Sequence, residues 1–145
     1  MAQEERELLH KDLCARLPYG VMVKAQYKDG EGWKIDDRKL LGLYTNGQVY
    51  LDCVYANIEN IKPYLRPMSS MTEEEKEEFH KLKQFSVTVV MPNGVSLLKP
   101  TYIVDLEEDG DGLNHLYNWL NTHHFDYRGL IEKGLALEAP EGMYK

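Results

Sequence analysis

Positive charge is the minority in this chain, with 17 Lys and Arg against 24 Asp and Glu and a formal net charge of −7. That sign opposes non-specific binding to nucleic-acid phosphate, which depends on Lys and Arg displacing counterions, although a local basic face could survive inside an acidic protein. Cysteine is scarce too. Cys14 and Cys53 form no CxxC pair, so neither a zinc ribbon nor a disulfide framework is written here, and both are expected as buried, reduced thiols. No window approaches the ~18 consecutive apolar residues of a membrane-spanning helix. The opening MAQEERELLHKDL carries charges where a secretory signal needs an apolar centre, so a cytoplasmic protein with no membrane partner is expected.

Familiar catalytic signatures are equally absent. There is no GxGxxG or GxxxxGK[ST] phosphate loop, and Ser69, Ser70, Ser86 and Ser96 sit in no GxSxG elbow. Cys14 would need a neighbouring base, and its expected place in an apolar stripe favours burial, which raises a thiol pKa. His115, His123, His124 and Asp126 lie close in sequence and suit Zn²⁺ or Fe²⁺ by ligand type. Their spacing does not, because two turns of helix place His115 about 12 Å from His123. Adjacent His123 and His124 point in different directions on a regular helix, and no HExxH pattern exists. No catalytic residue, metal or cofactor is therefore assigned.

What the chain does contain is enough for one domain over residues 1–145, with 43% hydrophobic residues to fill its core. Residues 2–17 have helical periodicity, with Leu9, Leu13, Cys14 and Leu17 on one side and Glu4, Glu5 and Glu7 near the positive end of the dipole. Pro18 ends the helix, and from Tyr19 the period becomes two. Turn chemistry at 28–32 marks one hairpin, and Asn46-Gly47 between two apolar runs marks a second, expected as type I′. Residues 52–61 lose periodicity, and Pro63 and Pro67 bracket an extended segment. Thr72 with Glu75 reads as a capping box for an acidic surface helix, supported by a Glu77–Lys81 pair. Residues 85–91 and 95–104 read as another hairpin around Pro92-Asn93-Gly94, with Pro100 at an edge or break.

The densest signal is Leu113 to Pro140. Leu113, Leu116, Tyr117 and Leu120 predict a helix over 112–123, with Trp119 needing an acceptor for its indole N–H. Asp126 is placed to cap a second short helix through Tyr127, Leu130 and Ile131, ended by left-handed Gly134. His123, His124, Asp126, Arg128 and Gly129 form the expected structural hinge: Asp126 receives Arg128, and Gly129 permits close backbone approach. Residues 135–139 are a short edge strand or docked tail. The whole reads as an α+β fold, with an N-terminal helix, a bent antiparallel sheet of about five strands compatible with an SH3-like barrel, an acidic helix and a C-terminal helical pair.

Two readings of function follow. Tyr64, Leu65, Arg66, Met68 and Met71 join aromatic, Arg and Met groups in a proline-restricted loop, the composition of a protein-binding surface, and predict an exposed apolar patch there. Alternatively, Lys34, Arg38, Lys39, Lys62 and Arg66 make a basic face on the sheet, with Tyr44, Tyr50, Tyr55 and Tyr64 as stacking surfaces for nucleic acid. The strings KPYLRPMSSMTEEE, Lys62 to Glu75, and HHFDYRGLI, His123 to Ile131, resemble segments of small proteins from prophages and mobile elements of gut Bacteroidales. That resemblance implies a bacterial cytoplasmic or phage setting and brings no activity, cofactor or substrate. The reading is a non-enzymatic protein-interaction or accessory module with a protein partner; a nucleic-acid-associated SH3-like domain or a metal-dependent enzyme is the alternative.

Overall fold

A computed structural model describes residues 1–90, 96–98 and 111–144, and the side chains of 1–82 and 115–144. Two compact units divide the chain: Met1–Met68 with Asn121–Lys145, and Ser69–Leu120. No described helix is long and apolar enough to cross a membrane.

The first unit opens with helix α1, Gln3–Arg16. Its buried stripe is Leu9, Asp12, Leu13 and Arg16, while Cys14 is exposed, as is Cys53. The expectation that Cys14 and Cys53 are buried is thereby corrected for both. The inward face is rotated toward a charged pair that neutralises itself, Arg16 Nε donating to Asp12 Oδ2 at 2.7 Å one helical turn away.

Strands β1 (Met22–Asp29), β2 (Gly32–Leu43), β3 (Gln48–Leu51), β4 (Val54–Asn57) and β5 (Ile61–Leu65) follow, with a 3-10 turn at Ile58–Asn60 before β5. Strand β8, Leu137–Glu138, completes a sheet of order β4-β3-β2-β1-β5-β8. The first five strands run in the order of an SH3-like meander, but the ladder stays open, with β4 at one edge and β8, parallel to β5, at the other. A register shift between Leu40 and Gly42 bends β2 so that it serves both halves of the sheet. Val23, Ala25 and Tyr27 of β1 are buried and alternate with exposed Lys24, Gln26 and Lys28, the period-two pattern of a half-buried strand. The core joins these to Leu9, Leu13, Leu40, Val49, Leu51, Ile58, Ile61 and Leu65, and to Leu130, Leu135 and Ala136 from the C-terminal segment.

The Asn46-Gly47 hairpin differs from expectation in its turn. Gly47 alone of the pair has positive φ, at 88°; its N–H donates to the Tyr44 carbonyl and Tyr44 N–H to the Gln48 carbonyl. This is a three-residue connection with a left-handed glycine at its end rather than type I′. Strand β4 went unread in the sequence, because its turn is closed by Cys53 at φ 63°, a conformation rarely associated with cysteine.

The second unit contains helix α2 (Glu73–Val87), strands β6 (Thr88–Val90) and β7 (Ser96–Leu98), and most of α3 (Asp111–Thr122). The capping box is formed: Thr72 N–H donates to Glu75 Oε1 at 3.0 Å and Glu75 N–H to Thr72 Oγ1 at 3.1 Å. Helix α2 takes Phe85, Ser86 and Val87 from the expected strand, since each further residue of an established helix adds a hydrogen bond. Among its described side chains the ion pair is Lys76–Glu73 rather than the expected Glu77–Lys81. Trp119 Nε1 finds its acceptor in Glu78 Oε2 at 2.9 Å, with Phe79 beside the indole at 5.8 Å. Strands β6 and β7 pair antiparallel as the expected hairpin, shortened; the Pro92–Gly94 turn and Pro100 lie outside the described residues.

No helix follows Asp126. Asp126 Oδ1 and Oδ2 instead accept from Leu130 N–H and Ile131 N–H at 2.9 and 3.0 Å, so the carboxylate closes a loop where a helix was expected.

Candidate protein-binding groove

The pairing of β1 decides what its edges offer. Leu40 N–H donates to the Val21 carbonyl, so Val21, and every second residue after it, turns its backbone groups toward β2. Met22, Lys24, Gln26 and Lys28 turn theirs to the opposite edge. Met22 N–H meets Tyr144 Oη at 3.0 Å, and Lys24 pairs with Lys62 of β5. The β5 ladder stops at Ala25–Ile61, so no described strand pairs with the outward groups of Gln26 and Lys28.

Beside this edge lies a cleft of about 210 Å³ walled by Tyr27, Trp33, Tyr55 and Asn57. A neighbouring one of about 320 Å³ is lined by Lys24, Ile35, Lys62 and Leu137, and both share Gln26 and Asn60. Trp33, Ile35 and Tyr55 are 56%, 61% and 52% exposed, which is high for side chains of this size and polarity. Register places Trp33 opposite Lys28, whose ammonium lies 5.8 Å from the indole centroid, and Ile35 opposite Gln26. Farther along the sheet the Tyr50 and Tyr55 rings meet at a tilt with centroids 4.9 Å apart, and Tyr44 lies 6.3 Å from Tyr55.

The expected basic face is divided. Lys34 is held by Asp29 at 2.6 Å, which raises its pKa. Arg38 binds Asp36, Tyr27 Oη and the Asp52 carbonyl, holding the Asp36 carboxyl below its usual range. Lys24 and Lys62 remain as register partners on the outer face, with Asp37 on the far side of Lys24 accepting from Tyr64 Oη at 2.7 Å.

The expected partner-binding loop is not an exposed patch. Tyr64 and Leu65 lie in β5 and are buried, Met71 is buried in the second unit, and Met68 is half-buried. Burial and Asp37 push the Tyr64 phenol up to about 12. Arg66 lies over the Phe125 ring at 4.2 Å, and its N–H donates to the His124 carbonyl at 2.7 Å. Consecutive burial of Pro63, Tyr64 and Leu65 in β5 takes the start of this run into the fold, which its composition did not reveal.

Those contacts join the hinge to a buried network that sequence reasoning missed. Asp12, fully buried, accepts Arg16 Nε through one oxygen and Arg128 Nη1 through the other, each at 2.7 Å. Arg128 thus answers Asp12, not Asp126. Arg16 Nη2 donates to the Phe125 carbonyl at 2.7 Å, fastening α1 to the C-terminal segment. His124 adopts a left-handed φ of 62° and stacks on Tyr144 at 3.6 Å. Burial, reinforced by Arg16 and Arg66, pulls its pKa down to about 4. Gly129 has φ 72° and nothing within 4 Å of its Cβ position, so backbone handedness, not close approach, requires glycine. The one available signal was Asp12 and Arg16 at i, i+4 within a leucine stripe.

No group of His, Cys, Asp and Glu among the described residues converges as a metal site. Cys14 Sγ lies 3.7 Å from His10 Nδ1 on the exposed side of α1, outside the clefts above. Comparisons with protein-family models, curated proteins and solved structures gave no match.

Proposed function

We propose that the chain is a non-enzymatic protein-binding module, acting in a bacterial cytoplasm in a phage or mobile-element setting, which holds its partner on the aromatic groove beside β1. The observation that carries this reading is the exposure of Trp33 and Tyr55 across one cleft, flanked by Ile35. Large aromatic side chains that stay in water on a preformed surface are the usual anchors of interfaces, where their burial dominates affinity. The segment 64–71 does not serve, since its apolar groups already have partners within the fold.

The test is retention of proteins from nuclease-treated host lysate by the full chain, compared with Trp33→Ala and Tyr55→Ala. Both positions are exposed, so these variants are expected to keep the far-UV circular dichroism of the parent and to lose the retained protein. Equal retention by all three removes the groove from consideration. Material that vanishes on nuclease treatment selects the nucleic-acid reading, which Lys28 beside Trp33, and Lys24 and Lys62 in the cleft of Ile35, favour.

A further inference from the structure

We infer that the segment Leu137–Tyr144 is a releasable strap that sets the shape of the groove, held down by the Tyr144 phenol wedged into the sheet. This rests on the protein-binding reading above and names how that site is controlled.

The wedge follows from register. Val23 lies opposite Pro63 and Lys24 opposite Lys62, so the next rung of the β1–β5 ladder sets Met22 opposite Tyr64. Met22 turns its backbone groups toward β5, because Val21 turns its own to β2. Tyr64 turns toward β1, because the Leu65 carbonyl accepts from Ala139 N–H at 2.8 Å on the other side. In an antiparallel ladder two such residues bond directly to each other. Here the Tyr144 hydroxyl stands between them: Oη accepts from Met22 N–H at 3.0 Å and donates to the Tyr64 carbonyl at 2.7 Å. Burial pushes the phenol up to about 12, so it keeps the proton it donates. Its ring stacks on His124 with centroids 3.6 Å apart.

Register also makes the phenol easy to remove. A backbone N–H and carbonyl that lose a partner inside a fold ordinarily resist the loss, but Met22 and Tyr64 can close on each other once the oxygen between them leaves. The rest of the segment is lightly held. Pro140 cannot donate to a ladder, and β8 is confined to Leu137 and Glu138. No side chain of 137–144 is fully buried, whereas Leu135 and Ala136 just before them are, so the anchor in the core stays when the strap lifts. Leu137 links the strap to the groove. It pairs with Tyr64 and lines the cleft of about 320 Å³ that also holds Ile35, Lys24 and Lys62. A docked strap completes that wall, and a lifted one opens it. Coupling of this kind is reciprocal, so a partner seated in the cleft holds the strap down.

The test is Tyr144→Phe in the full chain, which keeps the ring on His124 and removes only the hydroxyl, read by amide exchange and methyl shifts in NMR spectra. Leu40 N–H, bonded to the Val21 carbonyl within the core sheet, reports opening of the whole fold. Ala139 N–H is expected to exchange about tenfold faster in the variant than in the parent, the worth of roughly one net hydrogen bond, while Leu40 is unchanged. Met22 N–H is expected to stay protected, because its rung closes on Tyr64, and the Ile35 methyl resonances to move. Tyr144→Ala, which also gives up the stacking, should move them further; if it fails to fold, Tyr144→Phe alone carries every readout. Exchange of Ala139 at the Leu40 rate in both parent and variant overturns the inference, since the segment then opens only with the whole fold. Loss of protection at Met22 together with Ala139 overturns the wedge. Ile35 resonances that stay in place while Ala139 exchanges fast overturn control of the groove. None of these readouts needs a partner, so lysate retention that ignores Trp33→Ala removes the protein-binding reading and leaves the strap to be judged by exchange.

Discussion

Replacing Asp12 with alanine removes one acceptor from two arginines. Asp12 is fully buried and takes Arg16 Nε and Arg128 Nη1, each at 2.7 Å; Arg16 is itself fully buried, whereas Arg128 is partly exposed. After the substitution Arg128 can turn to water, but Arg16 is left as a charge inside the core whose remaining described partners are the Phe125 carbonyl and the Tyr127 ring. Stranding one member of a buried pair costs about 3–5 kcal/mol, because the lost attraction no longer offsets desolvation of the charge left behind. An exposed pair would contribute only ~0–1 kcal/mol. The assay is urea unfolding followed by circular dichroism, with Asp12→Leu/Arg16→Met as a companion that removes both charges while keeping volume. That double variant is expected to recover most of the loss. A loss for Asp12→Ala below about 1 kcal/mol would refute the account of the pair as a buried, mutually dependent unit.

Acid should destabilise the fold through His124, whose pKa is drawn down to about 4 from the ordinary 6.5. Its contribution is complete above about pH 6.5 and falls as pH drops toward 4, because only the unfolded chain then takes up the proton; the full loss is about 3 kcal/mol. His124→Asn, which tolerates the left-handed backbone, is expected to flatten the dependence; parallel profiles for the two proteins would contradict this. Cys14 and Cys53, both exposed, should react with a thiol reagent in the native protein at the rate seen in urea, and protection of either would contradict the exposure described.

Local rules were readable where a short stretch carried its own geometry. Thr72 and Glu75 formed their reciprocal cap, α3 began and ended within a residue of its apolar period, and Val21, Val23, Ala25 and Tyr27 alternated as written. Gly134 took the left-handed conformation asked of it, though at the end of a loop. Reading failed where distant residues decided the outcome. Asp126 looked like a helix cap because Tyr127, Leu130 and Ile131 follow at helical spacing, but its carboxylate accepts from N–H groups four and five residues on, beyond the reach of an N-cap, and closes a loop instead. Arg128 chose Asp12 across 116 positions, a preference that no local pattern contains. Composition marked Tyr64 to Met71 as a surface, but the pairing of β5 between β1 and β8 buried Tyr64 and Leu65, and the exposed aromatics of the sheet include Trp33 of β2 and Tyr55 of β4. Trp33 could have been found as the large apolar residue at the polar position of a period-two strand, facing Lys28 in a hairpin whose turn was already placed.

The bond from Arg16 to the Phe125 carbonyl joins residues 109 positions apart, Tyr144 meets Met22 across 122, and β8 adds to β5 only after the long intervening segment. As the chain leaves the ribosome, the sheet must therefore wait with its Asp12 and Arg16 pocket open while the whole of Ser69–Leu120 is synthesised. Such late, long-range closure makes for slow folding and a prolonged period of exposed strand edges. Synthesis order thus sets a window in which a chaperone or a premature ligand of β1 would meet a half-built protein.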